Sequence, residues 1–304
     1  MREEITGTEK HRKERSRLNE RGMALIIVLL VTALLIALIF EFAYGTRVSL
    51  RAAVNYRNSE RAYYLARSGV NVAGRYLAFN LASLGTESSF KYKDLEVKTW
   101  QHVPIQSDDA TLDIRWDDEA AKIRITDVQT NGIRQDFLNR LFESKGIDRT
   151  VLDRMKELSG NYINKVKLLT ELHQYMSDDD FDKVSPFLTV RPEINNIDIN
   201  TASADVLTSM NIGASTAGLV IDDRQKAPIT DPVNYAPLGN VMIQGSKVTN
   251  FMTDSSDIFT VYSKATVGGY TRVVQAIIQR NANGFTVLNY WTVLDTRSIP
   301  NIES

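Results

Sequence analysis

The chain has 304 residues, 43% of them hydrophobic and 24% charged, with a formal net charge of -1. That is the composition of a globular protein long enough for one large or two ordinary domains, and its near-neutrality gives no global reason for a nucleic-acid partner. The absence of cysteine excludes disulfides, thiolate metal sites and cysteine catalysis.

In chain order, the first element is an apolar run. Residues 23–40 carry no charge and are almost all Leu, Ile, Val, Ala and Phe. Three devices share that look: a secretory signal that is removed, a permanent anchor, and a segment processed at its inner end. A signal core runs to about 7–15 residues and a span needs roughly 17–25, so length favours a span. Phe42-Ala43-Tyr44-Gly45 is a poor small-residue cleavage site. The 22 residues before the run hold seven Lys or Arg against five Glu, and Arg47, Arg51, Arg57 and Arg61 follow it. The positive-inside rule therefore sets orientation only slightly, and export of the large polar remainder is the default.

Beyond the run, Val48, Ala52, Tyr56, Ser59, Tyr63, Ala66, Val70, Ala73 and Leu77 step by three and four residues, one continuous helical stripe. No Pro interrupts residues 23–81. Gly45, Gly69 and Gly74 weaken such a helix by about 1 kcal/mol each relative to Ala without forbidding it. The expectation is one helix about 85 Å long, lipid-compatible in its first third and amphipathic after it.

The period then changes. Residues 111–116 and 122–126 alternate apolar and polar, as half-buried strands do, with Asp117-Asp118-Glu119 as the turn between them. Strands are expected to return only at Asp257, where two runs flank Gly268-Gly269, a hairpin signal, and a further turn at Asn283-Gly284 leads into a last strand. Between them, residues 128–231 read as helical. Phe137, Leu138, Leu141 and Phe142 make one apolar face; Leu152, Met155 and Leu158 make another, ended by Gly160; residues 168–175 follow. Ser177 reads as an N-cap with acids in the first turn behind it. Over residues 197–207, 210–217 and 221–224, Asn200 or Thr201 caps a short helix, Ile212-Gly213 turns the chain, and a second helix ends near Arg224. With the Asn200-Thr201-Ala202 entry and Arg224 near the end, this resembles a helix-hairpin-helix unit.

Little of this is chemistry. DNA-binding units of that kind present a Gly-rich hairpin and basic residues to phosphate, and here only Gly213 stands where two glycines are usual. Residues 171–231 hold eleven Asp or Glu against Lys183, Arg191, Arg224 and Lys226, a surface that repels phosphate. Asp178, Asp180 and Asp182 are candidate calcium ligands, but Lys183 and Thr189 stand where an EF-hand needs Gly and Glu, and acids of a helix first turn are the competing reading. His11, His102 and His173 are isolated in sequence, Asn161 suggests only a loop, and no nucleophile elbow, phosphate loop, dinucleotide fingerprint or zincin motif is present.

The junction Arg21-Gly22 followed by Met23-Ala24-Leu25 resembles the leader end of a type IV pilin-like protein, cut on the cytoplasmic side after Gly. Major pilins carry Glu as the fifth mature residue; counted from Met23 that position is Ile27. A minor subunit that lacks this Glu is pseudopilin K of type II secretion, and residues 23–47, the run Ala62-Tyr63-Tyr64-Leu65-Ala66-Arg67-Ser68-Gly69 and the inserted helix pair are similar to that family. The resemblance implies an α+β fold, pilin-like, with a long N-terminal helix packed on an antiparallel sheet and a large inserted α-helical domain. It divides the chain into a leader (1–22), the helix (23–82), a first sheet part (83–127), the insertion (128–231), and a second sheet part with an irregular tail (232–304). It further implies a non-enzymatic subunit at the tip of the pseudopilus, taking part in its initiation and in protein export across the outer membrane. Processing between Gly22 and Met23 by a prepilin peptidase, N-methylation of Met23, and calcium in the insertion are implied too. So are partners in minor pseudopilins I and J, the major pseudopilin and the inner-membrane assembly platform, with the body in the periplasm. A minor pilin of a type IV pilus and a membrane-anchored DNA receptor stay open as alternatives.

Overall fold

The computed structural model describes residues 4–83, 100–129, 132–159, 168–281 and 284–293. Residues 84–99, Gly160, Asn161, Asn283 and the tail after Val293 lie outside the described residues. The chain falls into two units, Met1–Asn58 and Ser59–Ser304.

Helix α1 runs from Glu4 to Ser83, so the expected helix is present and begins earlier than Met23. The first Pro of the chain is Pro104, so nothing removes a helical hydrogen bond along α1. In the first unit the apolar residues from Met23 to Phe40 are all exposed, and two threonine hydroxyls close on the helix itself. Thr32 Oγ1 donates to the Leu29 carbonyl at 2.9 Å and Thr46 Oγ1 to the Phe42 carbonyl at 2.8 Å. A helix that satisfies every polar group internally and turns only apolar side chains outward is suited to lipid. Among the described residues, the stretch of α1 from Met23 is long and apolar enough to cross a membrane.

Among the described residues the second unit has two large cores and two small satellite clusters. After α1 come strands β1 (Gln101–His102) and β2 (Ala110–Asp118), then the short β3 (Ile123–Arg124). Helices α2 (Ile133–Ser144), α3 (Arg149–Ser159) and α4 (Asp178–Val184) follow, with β4 (Leu188–Thr189), β5 (Ile197–Asp198), α5 (Ala204–Ser209) and α6 (Ala214–Lys226). The short strands β6 (Met242–Ile243), β7 (Ser246–Lys247) and β8 (Met252–Thr253) lead to the long β9 (Ile258–Val267), β10 (Tyr270–Asn281) and β11 (Gly284–Val293). The main sheet has the order β1-β2-β9-β10-β11 and is antiparallel throughout. The hairpin at Gly268-Gly269 is present, and both glycines have positive φ (55° and 83°), which a two-residue turn of this hand requires.

The end of α1 packs on one sheet face. Ala66, Val70, Ala73 and Leu77 meet Leu112, Ile114 and Trp116 of β2, Val261 and Ala265 of β9, and Val274, Ala276 and Ile278 of β10. The half of the helical stripe from Ala66 onward is therefore core. The close approach needs the glycines: a Cβ on Gly69 would stand 2.1 Å from Ser263 Oγ and 2.9 Å from Leu112 Cδ1. A lone glycine in an α-helix normally weakens it, yet here it admits the sheet. Gly69→Ala is therefore expected to destabilise the fold by about 1–2 kcal/mol, overpacking outweighing the gain in helix propensity. Denaturation of the full chain in detergent, followed by the fluorescence of buried Trp116, measures it; a stabilised variant would refute the packing argument.

The second core belongs to the segment between β2 and β9. Phe137, Leu138, Leu141 and Phe142 of α2 pack with Leu152, Met155, Leu172, Val206, Leu207, Val220 and Met252 in one buried cluster. Several local expectations differ. Asp117 and Asp118 belong to β2, and Asp118 Oδ1 accepts from the Ala120 amide at 2.8 Å, capping a 3-10 turn at Glu119–Ala121. The expected strand 122–126 shrinks to β3, which pairs in parallel with β4 outside the main sheet. Ile123 and Ile125 are the reason: both are buried in the helical core, so the chain follows them there. Residues 168–175 form a 3-10 turn, Leu169–Gln174, rather than an α-helix, and small strand pairs occur before residue 257, with β8 parallel to β5.

Candidate functional site

The residues marked by the sequence fall into three places. The first is the apolar segment of α1. Gly22 and Met23 lie within the helix, and Ile27 is 61% exposed. No carboxylate occurs between Met23 and Phe40, so this face offers a neighbouring chain shape and dispersion but no charge.

The second place is a polar knot at the entry to α5. Asn200 is buried; its Nδ2 donates to the carbonyls of Ile229 (3.0 Å) and Asp254 (3.2 Å), and its Oδ1 accepts from the Ile229 amide (2.8 Å). Asp198 Oδ1 accepts from the Asn200 amide at 2.8 Å. Thr201 Oγ1 donates to Asp118 Oδ2 at 2.5 Å, tying the helix pair to the end of β2. Arg224 Nη1, in the last turn of α6, donates to the carbonyls of Ile199 (2.9 Å) and Ala202 (2.6 Å). Asn200, Thr201, Ala202 and Arg224 are thus brought together: the three polar side chains close buried or part-buried groups, and the Ala202 carbonyl accepts one of the bonds.

That employment corrects the expected cap. The N-cap of α5 is Ser203, whose Oγ accepts from the Val206 amide. Asn200 and Thr201 cannot cap because their side chains are committed to Ile229, Asp254 and Asp118. Gly213 stands apart from the knot as the N-cap residue of α6 with φ -58°, and a Cβ there would meet nothing within 4 Å. The left-handed residue of this turn is Asn211 (φ 68°), whose Nδ2 donates to the Met242 carbonyl at 2.9 Å.

The third place is the acidic start of α4. Ser177 caps it, its Oγ accepting from the Asp180 amide, as the sequence suggests. Asp178 Oδ1 accepts from His173 Nδ1 at 2.8 Å, and Asp180 pairs with Lys183 at 3.4 Å. The side chain of Asp178 is 90% exposed, and among the described residues no group of three or more His, Asp or Glu could hold a metal ion. His173 also packs its ring 3.9 Å from that of Phe181, and His102 faces Asp113 at 3.1 Å on the surface.

One constellation carries no local signal in sequence. Glu119, buried at the end of β2, accepts from Lys122 Nζ (2.7 Å) and Thr260 Oγ1 (2.7 Å) at Oε1 and from Thr189 Oγ1 (2.5 Å) at Oε2. Burial alone raises its pKa, but the Lys122 charge and these hydrogen bonds hold it below the usual glutamate value. Adjacent Asp118 goes the other way: burial raises its pKa despite the bonds from Ser256 and Thr201. Both acids end in hydrogen bonds and ion pairs that join the sheet to the helical core, an arrangement for holding two layers together.

No family model matches the chain. It is 21% identical over 308 aligned residues to the type II secretion system protein K of Pseudomonas aeruginosa, across 88% of this chain and 91% of that protein. In fold it is similar to a chain in the crystal structure of the GspK-GspI-GspJ complex from the enterotoxigenic Escherichia coli type 2 secretion system. That match has a TM-score of 0.60 at 15% identity and covers 81% of this chain and 99% of that one. The α+β class with a long N-terminal helix, antiparallel sheet and helical domain is borne out by this likeness. The sequence match along nearly the whole chain bears out the resemblance to the K family of pseudopilins, and with it the reading of a non-enzymatic subunit.

Proposed function

We propose that this minor pseudopilin of type II secretion, a protein of the K kind, works at the tip of the pseudopilus and takes part in starting it, so contributing to protein export across the outer membrane. The observation that carries the proposal is Ile27 in an exposed, wholly apolar helix face. A buried Glu there would need a partner, which in pilins is the neighbouring subunit's free N-terminus; without it the subunit has no carboxylate to offer a neighbour's amine. The bulky helical segment between β2 and β9 supports the same place, since a subunit enlarged in this way would crowd a further subunit stacked above it. On this reading the leader through Gly22 is removed by a prepilin peptidase, Met23 becomes the methylated terminus, and α1 anchors the chain once in the inner membrane. The body stands in the periplasm beside minor pseudopilins I and J, with the major pseudopilin and the assembly platform as further partners. The division into leader, helix, sheet parts and insertion is part of the proposal, as is a docking role for the α5–α6 pair. Any calcium in the helical domain has no assigned ligands.

The test is the N-terminus and mass of the protein isolated from its own membranes. A start at Met23 is the expected result, and Gly22→Asp should leave the full 304-residue chain uncut. An intact Met1 in the natural protein means a plain anchor, and a start near Thr46 means a signal peptide. Copurification with pilus-type rather than secretion-type minor subunits would favour a type IV pilus instead. Binding of duplex DNA at physiological salt would favour the receptor reading, which the acid excess of residues 171–231 opposes.

A further inference from the structure

We infer that Arg47 and Arg51 form a binding site for the headgroups of anionic phospholipid, at the membrane face from which the helix emerges; this rests on reading residues 23–40 as a membrane span. Both arginines lie in α1 within the first unit, and both are exposed. They stand four residues apart, so they share one helix face.

No acid lies between Phe42 and Ser59. The positions three and four residues from Arg47 are Ala43, Tyr44, Leu50 and Arg51; those from Arg51 are Arg47, Val48, Val54 and Asn55. The one charged neighbour that each has on its own helix is therefore the other arginine, and like charges at that spacing repel. An anion from outside the chain relieves the repulsion, and guanidinium forks fit phosphate oxygens bidentately.

Height along the helix selects the lipid. Residues 23–40 rise about 27 Å, close to the roughly 30 Å of a hydrocarbon layer. Exposed Phe40, Phe42 and Tyr44 mark the boundary as an aromatic belt does. Arg47 then lies about 10 Å beyond Phe40, Arg51 about 16 Å and Arg57 about 25 Å. Helical side chains slope toward the N-terminus, here back toward the bilayer, and long cationic ones snorkel to the phosphate level. Arg47 and Arg51 reach that layer, and Arg57 stands above it.

The test uses the full chain in nanodiscs of phosphatidylcholine with a minor share of phosphatidylglycerol, after insertion is confirmed by resistance to alkaline extraction. Native mass spectrometry then counts which lipids stay bound on release. Several-fold enrichment of phosphatidylglycerol is expected, lost in Arg47→Gln/Arg51→Gln and kept in Arg57→Gln. Equal enrichment in the double variant overturns the inference, as does an equal loss with Arg57→Gln, which would mean general charge attraction. Unchanged lipid enrichment joined to lost copurification with neighbouring subunits assigns the arginines to a protein partner and also overturns it. A chain that alkaline extraction removes refutes the span itself, a failure distinct from the loss of lipid preference.

Discussion

Glu119→Ala is expected to lower the stability of the second unit by about 4 kcal/mol, because removing one partner of a buried ion pair strands the other. Lys122 Nζ would lose its 2.7 Å partner, with only 16% of its side chain exposed to water, and Thr189 and Thr260 would lose their acceptor. Glu119→Gln keeps an acceptor but not the charge and should fall between. The pH dependence has a definite sign. The Glu119 carboxyl is held below its ordinary value of 4.5, so its stabilisation is present above that pH and lost as pH falls through the lowered value. Lys122 is desolvated, which lowers its pKa, but the Glu119 and Asp117 charges hold it above the ordinary 10.5; its stabilisation is present below that pH and lost at higher pH. Asp118, raised by burial, favours the fold at low pH and ceases to as pH rises through its folded value. Urea titrations of the full chain in detergent across acidic pH should therefore show the acid loss diminished in Glu119→Gln. An Ala variant within about 0.5 kcal/mol of the natural chain would remove Glu119 from this role.

Asn200→Ala should cost about 3 kcal/mol, since the buried carbonyl and amide of Ile229 and the part-buried carbonyl of Asp254 lose their partner together. Asn195→Ala is the control. Asn195 is exposed and, among the described residues, accepts a long 3.4 Å contact from Arg124, so its loss should be near zero. Hydrogen exchange at the Ile229 amide gives a local readout: protection should fall in Asn200→Ala beyond what the global loss explains. Unchanged protection there would mean that the segments are held by something else.

Periodicity alone carries α1 and the long hairpin, because a stripe stepping by three and four residues and alternation about Gly268-Gly269 are local properties. The same local signal misplaces residues 122–126. Alternation tells that Ile123 and Ile125 share a buried side, but not which of two cores buries them. The Asn200 segment shows the limit from another side. Its sequence suggests a cap, and the side chains are drawn instead to Ile229, Asp254 and Asp118, the last of them 83 residues from Thr201. Local propensity yields when a buried backbone group elsewhere needs the same atoms.

The apolar helix, Ile27 in place of a carboxylate, the lack of cysteine chemistry and the resemblance to pseudopilin K are all legible from the order and kinds of residues alone. That Gly69 is a contact and not a defect, and that Glu119 binds Thr260 across 141 residues, emerges once the chain is folded. The difference is one of range. Helical and strand periods are set within a few residues, whereas burial, and the pairing that a buried charge demands, depend on which distant segment arrives beside it.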